Sequence, residues 1–420
     1  MNEEYSNKLS AITLSKSKNY LFLFMIWPFL AFITAIINYS QKESRKVVYI
    51  FLIYYGLTFV INSATYVDAA GYAMNLKVNA ALPFSDFFKI VGGLYASDTS
   101  VDIVEPFISF IVSRFTDDYR ILYAVFAAIF GFFYLKSIDL LYDRYHENPG
   151  WNVGIHLAFF TIIIPITYIN GFRMYAAAWI FFYGAYNVIL HHDYRYLLIA
   201  LASSFVHFSF LSANILLIIY FFVGNRNAIY LPIALISFVI PQLFAATFQS
   251  ISLKLGGGLQ SRFESYTNKE FLGIRQESFD QASWFLKSVN DLVFYYILLA
   301  IIVIQIRYGY LMKGKAERNL FSFLLLLISF VNFGRAIPSF GARFQIVFLL
   351  FATFYVFLYF LKLPGNKINL LTMVGLFPMT LYAVIAFRQG SESISAWILT
   401  PGLGFPLFAP SLSLVDLLFH

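Results

Sequence analysis

The stretch Asn170–Leu211, NGFRMYAAAWIFFYGAYNVILHHDYRYLLIALASSFVHFSFL, sets the reading of the whole chain. Arg173 heads an apolar run, His191–Arg195 form a short basic turn, and a second apolar run is broken by His207. Charged and titratable side chains are costly in hydrocarbon, so each needs a partner or a task. Two helices joined by the basic turn place Arg173 and His207 on the same side of a membrane, beside a site for an anionic substrate.

The rest of the composition requires that membrane. The chain has 420 residues, of which 60% are hydrophobic and only 12% charged. Soluble domains run at about 45–50% apolar and about 25% charged. No soluble fold of this size hides so much apolar surface, so the fold class is an all-α polytopic membrane protein. Aromatic residues reach 20%, with 50 Phe and 30 Tyr, which suits lipid-facing surfaces and interfacial belts. The absence of cysteine excludes disulfides, thiolate metal sites and a cysteine nucleophile. The first apolar run follows a polar leader with no small-residue cleavage pattern and reads as a retained helix.

A spanning helix needs about 17–25 apolar residues. Runs of that kind lie at 20–38, 47–62, 120–138, 153–169, 174–190, 228–248, 291–306, 319–333, 344–361 and 368–387. The segment 196–223 is too long for one untilted span and short for two. It reads as two short helices hinged near His207 and Ser209, giving about twelve spans in all; a single tilted helix there would reverse sidedness. With the N-terminus outside, the inner loops are Gln41–Lys46, Lys136–Trp151, His191–Arg195, Gly224–Asn227, Arg307–Arg318 and Lys362–Lys367. They hold 13 of the 29 basic residues and 6 of the 22 acidic ones, leaving the remainder balanced at 16 of each. That bias follows the positive-inside rule, although Lys8, Lys16 and Lys18 of the leader then lie outside.

The outer, periplasmic side then carries everything irregular. Residues 62–120 hold YVDAAGY with Asp68, an acidic scatter of Asp98, Asp102 and Glu105, and EPFISFIVSRF. Pro106 suits a helix first turn, and the stretch is short enough to be interfacial. Residues 250–291 contain GGGLQSRFESY, and NFGRAIPSFGARF places Arg335 and Arg343 between two spans. The tail, 388–420, is apolar, punctuated by Pro and Gly, and expected along the interface. There is no internal repeat and no soluble domain.

Arg173, Arg262, Arg335 and Arg343, with Arg388 as a weaker fifth, therefore share one side. Arginine stays charged and binds phosphate bidentately. On the outer face of a bacterial membrane, a lipid-linked pyrophosphate is an obvious anionic substrate. Fixed guanidinium groups would neutralise the charge that develops as it leaves. A sugar hydroxyl as nucleophile needs a base, and His207 suits that near neutral pH. Asp68 and Glu105 are the alternative bases. Plainer roles compete: arginines as interfacial anchors, His207 in helix packing, Asp68 as the cap of a turn at Gly71, Glu105 as a charge at a helix start, and Asp117, Asp118 and Arg120 as a solvated cluster. Neither a metal nor a cofactor is demanded.

Five signals in order resemble the Wzy-type O-antigen and exopolysaccharide polymerases, above all their EpsG-like branch. They are YVDAAGY, EPFISFIVSRF, NGFRMYAAAW, FVHFSFL (like that family's Phe-His-x-Ser) and PSFGARFQIVF. Met174 stands where the family usually has Gln, and Tyr66-Val67 replaces its Gly/Thr lead-in. The resemblance implies a membrane glycosyltransferase of GT-C-like architecture in the bacterial inner membrane. The substrate would be an undecaprenyl-pyrophosphate-linked oligosaccharide repeat unit, polymerised in the outer leaflet with undecaprenyl pyrophosphate leaving. It also implies a chain-length-regulating copolymerase as partner, a flippase supplying units, a ligase taking product, and no nucleic acid. Two other classes compete: a lipid-linked oligosaccharide flippase, which would favour internal pseudo-symmetry, and a membrane O-acyltransferase, which would also use a membrane histidine.

Overall fold

The computed structural model describes residues 19–61, 67–86, 102–240, 283–335, 338–363, 367–404, 408–409 and 411–419. Within them the apolar runs are helices, and the only β-type pairing is an isolated bridge between Ser395 and Ser413. After a helical stretch over 19–26 come α1 (Pro28–Ile37), α2 (Lys42–Leu57), α3 (Val67–Ala81), α4 (Val104–Ser113) and α5 (Tyr119–Glu147). Next are α6 (Trp151–Ile163), a 3-10 turn (Ile166–Gly171), α7 (Phe172–His191), α8 (Arg195–Val206), α9 (Phe210–Val223) and α10 (Asn227–Val239). The chain ends with α11 (Trp284–Tyr308), α12 (Lys315–Gly334), α13 (Pro338–Leu361), α14 (Leu370–Gly390), a 3-10 turn (Ala396–Leu399) and α15 (Leu414–Phe419).

Six helical stretches among the described residues are long and apolar enough to cross a membrane: Tyr119–Glu147, Trp151–His191, Ser288–Tyr308, Lys315–Gly334, Phe340–Leu361 and Leu370–Gly390. The second of these folds back on itself. Trp179 donates its indole N–H to the Ile164 carbonyl at 3.3 Å, and Phe160 packs on Trp179 and Phe182, so α6 and α7 run antiparallel about the Ile166–Gly171 turn. The apolar helices α1, α4, α8, α9 and α10 are shorter, at 10–14 residues.

Two helices form the centre. Most of α7 is buried on every side, as expected of a helix that is apolar all round. α13 is likewise almost wholly buried. Around α7 pack α5, α8, α9, α12 and α13. α7 and α8 approach closely at Gly184, where an added Cβ would lie 2.5 Å from the Ala200 nitrogen on α8. Without an apolar driving force from lipid, close backbone contact of this kind is a main source of helix association. The turn between α7 and α8 is closed by His192 in the left-handed conformation (φ 54°), and Asn319 of α12 donates to the Ile189 carbonyl at its base.

The 196–223 segment is two helices. His207 has extended backbone (φ −145°, ψ 115°), and Asn214 reaches back to the Ala200 carbonyl and to Ser203 and Ser204. Residues 200 and 214 lie equally far from position 207, so α8 and α9 form an antiparallel hairpin about it. From Val67 onward the YVDAAGY motif is helix rather than turn: Gly71 lies within α3, where a Cβ would meet nothing within 4 Å. Asp118 caps α5 by accepting from the Arg120 amide, so that acidic pair is partly a helix start. The C-terminal tail turns back on the first helices: Val60 donates to the Ser393 carbonyl and Gly402 to that of Ile26, and Trp27 donates to that of Leu399.

Candidate active site

The irregular backbone between α8 and α9 frees polar groups that must find partners inside the protein. The segment entering α4 supplies them. Ile103 donates its amide to the Phe205 carbonyl at 3.0 Å, and the Phe208 amide donates to Asp102 Oδ1 at 2.8 Å. This two-point latch places Asp102 beneath the hinge.

Asp102 then joins the two residues of the opening stretch. Arg173 Nη1 donates to its Oδ2 at 3.1 Å, and His207 Nδ1 lies 3.2 Å from its Oδ1. Asp102 is only 2% exposed. Burial penalises its carboxylate, but the His207 bond and charge, Arg173 and the Phe208 amide together hold its pKa below the usual aspartate range. With Nδ1 turned to a carboxylate, the His207 ring is fixed in orientation and Nε2 is the nitrogen left for chemistry.

Arg173 is held on three sides. Besides Asp102, its Nε donates to Tyr72 Oη at 3.0 Å, and its Nη2 lies 3.7 Å from Asp68 Oδ1. Phe126 organises this corner: its ring stacks on Phe172 with centroids 4.0 Å apart and meets Tyr72 edge-on at 5.6 Å. The same aromatic ring thus fixes the start of α7 and the tyrosine that holds Arg173. Asp68 is the loosest member, its side chain 57% exposed.

Glu105 lies in the first turn of α4, which is too short to span, and is buried. Its Oε1 has no hydrogen-bond partner among the described residues. Burial pushes its pKa up to about 7; Arg173 opposes the rise, and Asp102 and Asp68 add to it. Ser209 Oγ, at the hinge, is likewise buried with no partner among the described residues.

The expected arginines divide. Arg343 lies near enough to act electrostatically on His207 and on Tyr175. Arg335 follows α12, sits 4.5 Å over the Phe294 ring and donates to Gln345 at 3.2 Å, which ties it to α11 and α13. Arg388 is half-exposed and pairs with Glu392 at 2.9 Å. Arg262 lies outside the described residues. Of the sequence candidates, Arg173, His207, Asp68 and Glu105 are brought together. Asp102, which links them, and Tyr72 are not among the candidates that the sequence supplies. The one signal available for Asp102 is its place three residues ahead of Glu105, just before a helix start.

The sequence model of the EpsG family matches residues 83–396. This chain belongs to the EpsG family. No curated protein and no solved structure matches it. The part shared with the EpsG family contains Asp102, Glu105, Arg173, His207, Arg335 and Arg343, whereas Asp68 precedes it.

Proposed function

We propose that this EpsG-family protein polymerises undecaprenyl-pyrophosphate-linked oligosaccharide repeat units into a surface polysaccharide. The work would be done at the periplasmic face of the bacterial inner membrane, on a GT-C-like helical scaffold of about twelve spans. The observation that carries this reading is the buried Asp102 carboxylate, which joins a membrane-boundary arginine to a histidine in a family member.

In the proposed step, a hydroxyl of the acceptor unit attacks the anomeric carbon of the growing chain. The new C–O bond forms as the bond to pyrophosphate breaks, and that electron pair leaves on the phosphate oxygen. His207 Nε2 takes the hydroxyl proton, while Asp102 steadies the imidazolium that results. Backside displacement inverts the anomeric centre. Arg343, with Arg335 and Arg262, takes the pyrophosphate. Arg173 contributes by exchanging its loose contact with Asp68 for a phosphate oxygen. Pyrophosphate is a good leaving group, so Glu105 need not act as an acid; its place is beside the acceptor as a second proton site. A chain-length-regulating copolymerase is the expected protein partner, and the tail from residue 388 would lie at the interface.

The test is the polysaccharide length distribution in cells carrying Arg173→Ala, Arg262→Ala or Arg343→Ala. The expected result is single-unit glycolipid with no long polymer. Normal polymer from all three variants at normal protein levels would overturn the site.

A further inference from the structure

The opposite, basic end of the bundle holds a feature that the proposed reaction does not use. A cavity of about 220 Å³ opens between α10, α11 and α12. Its walls include Asn227, Gln305, Met312 and Phe321, and Lys313 and Arg318 stand at its rim. Met312 is buried, Gln305 is held by Tyr355, and Asn227 accepts from Ser322, so the walls are fixed by packing.

The charge here is unbalanced. Neither Lys313 nor Arg318 has an acidic partner within 4 Å among the described residues, and both are exposed. The nearby carboxylate, Glu317, is nearly buried and committed to Lys362 at 2.6 Å, and Lys362 also donates to the Leu311 carbonyl. Arg226, Arg307 and Lys315 flank the same cavity in sequence. The lining is mixed: apolar Met312 and Phe321, the amides of Asn227 and Gln305, and the cations Lys313 and Arg318. Those three kinds of group match the three parts of an anionic phospholipid's head region: acyl-chain root, hydroxyl-bearing headgroup and phosphate. Basic pockets between membrane helices on the cytoplasmic side bind anionic headgroups.

We propose that this cavity binds the phosphodiester headgroup of an anionic phospholipid of the inner leaflet, with Lys313 and Arg318 on the phosphate and Asn227 or Gln305 on the glycerol hydroxyls. Each such cation near an anionic surface contributes about five-fold in affinity, so the pair contributes about 30-fold.

The experiment uses the purified full chain in neutral detergent, titrated with short-chain phosphatidylglycerol, phosphatidylcholine or inorganic phosphate. The readouts are thermal stability and lipid retention by native mass spectrometry. The double variant Lys313→Gln/Arg318→Gln is compared with Lys46→Gln/Lys367→Gln, which removes the same charge from the same end of the bundle. Expected is stabilisation by phosphatidylglycerol well beyond phosphatidylcholine, weakened about 30-fold in the first variant and kept in the second. Equal responses to the two lipids, or equal loss in both variants, would overturn the site. Free phosphate matching the lipid would overturn the lipid assignment.

Discussion

Replacing Asp102 by Asn tests the site at its most connected point. The amide has nearly the same shape and still accepts from the Phe208 N–H, so the latch between α4 and the α8–α9 hinge survives in part. What is lost is a buried charge 3.1 Å from Arg173 Nη1 and 3.2 Å from His207 Nδ1. Whichever way the amide turns, its NH2 faces one of two donors. Removing one partner of a buried ion pair costs about 3–5 kcal/mol. Tyr72 and the half-exposed Asp68 still hold Arg173, so the expected loss is at the lower end, about 3 kcal/mol. The imidazole also loses its orienting acceptor, and acid–base catalysis of this kind contributes about 10²–10⁴ in rate. Equilibrium unfolding in mixed micelles and elongation by purified protein give the two readouts. Asp117 is exposed and takes no part in the contacts that hold Arg173 and His207, so Asp117→Asn serves as the surface control, with an expected change within about 0.5 kcal/mol. Asp102→Asn matching that control in both stability and rate would refute the linkage of Arg173 and His207 through this carboxylate.

Other predictions address the remaining parts of the site. Glu105 has a folded-state pKa of about 7, above the ordinary 4.5. Its contribution to stability is therefore full below about pH 4.5 and lost as pH rises through about 7. Glu105→Gln should flatten the fall in melting temperature between about pH 4.5 and 7; an unchanged slope contradicts the assignment. Gly184→Leu should force α7 from α8, because even a Cβ would meet the Ala200 backbone at 2.5–2.8 Å. A loss of about 1–3 kcal/mol is expected from overpacking, and unaltered thermal stability would be inconsistent with that contact. Arg343→Ala should slow elongation by about 10²–10³; loss of stability without loss of rate would make it structural. The chain has no native cysteine, so Phe115→Cys (85% exposed) and Tyr194→Cys (70% exposed) should be labelled by an impermeant maleimide from opposite sides of the membrane. Labelling from the same side would undo the orientation.

The features legible in the sequence share one property: they break a local pattern. Arg173 and His207 stand out against apolar neighbours, and the length of 196–223 implies a fold-back, so the α7–α8–α9 arrangement can be read from the chain alone. Asp102 breaks no local pattern. It is one acidic residue among several in an irregular segment, and its partners are 71 and 105 residues away. Periodicity carries no information about such pairings. Asp68 and Gly71 suggest a turn because both residue types favour turns. The helix forms there because Ala69, Tyr72 and Leu76 bury one face, and packing outweighs propensity. Arg335 shows another limit: its charge marks it as an anion-site candidate, but the Phe294 ring and the Gln345 acceptor that hold its guanidinium in place are brought within reach only by the fold.

The most direct test of the proposed polymerase is elongation by the purified protein in detergent, with lipid-linked repeat units as the only substrate and no membrane to cross. Expected are longer lipid-linked glycans, release of undecaprenyl pyrophosphate, and neither product from His207→Gln. Wild-type protein that binds the units without joining them, or His207→Gln that joins them at the normal rate, would contradict it.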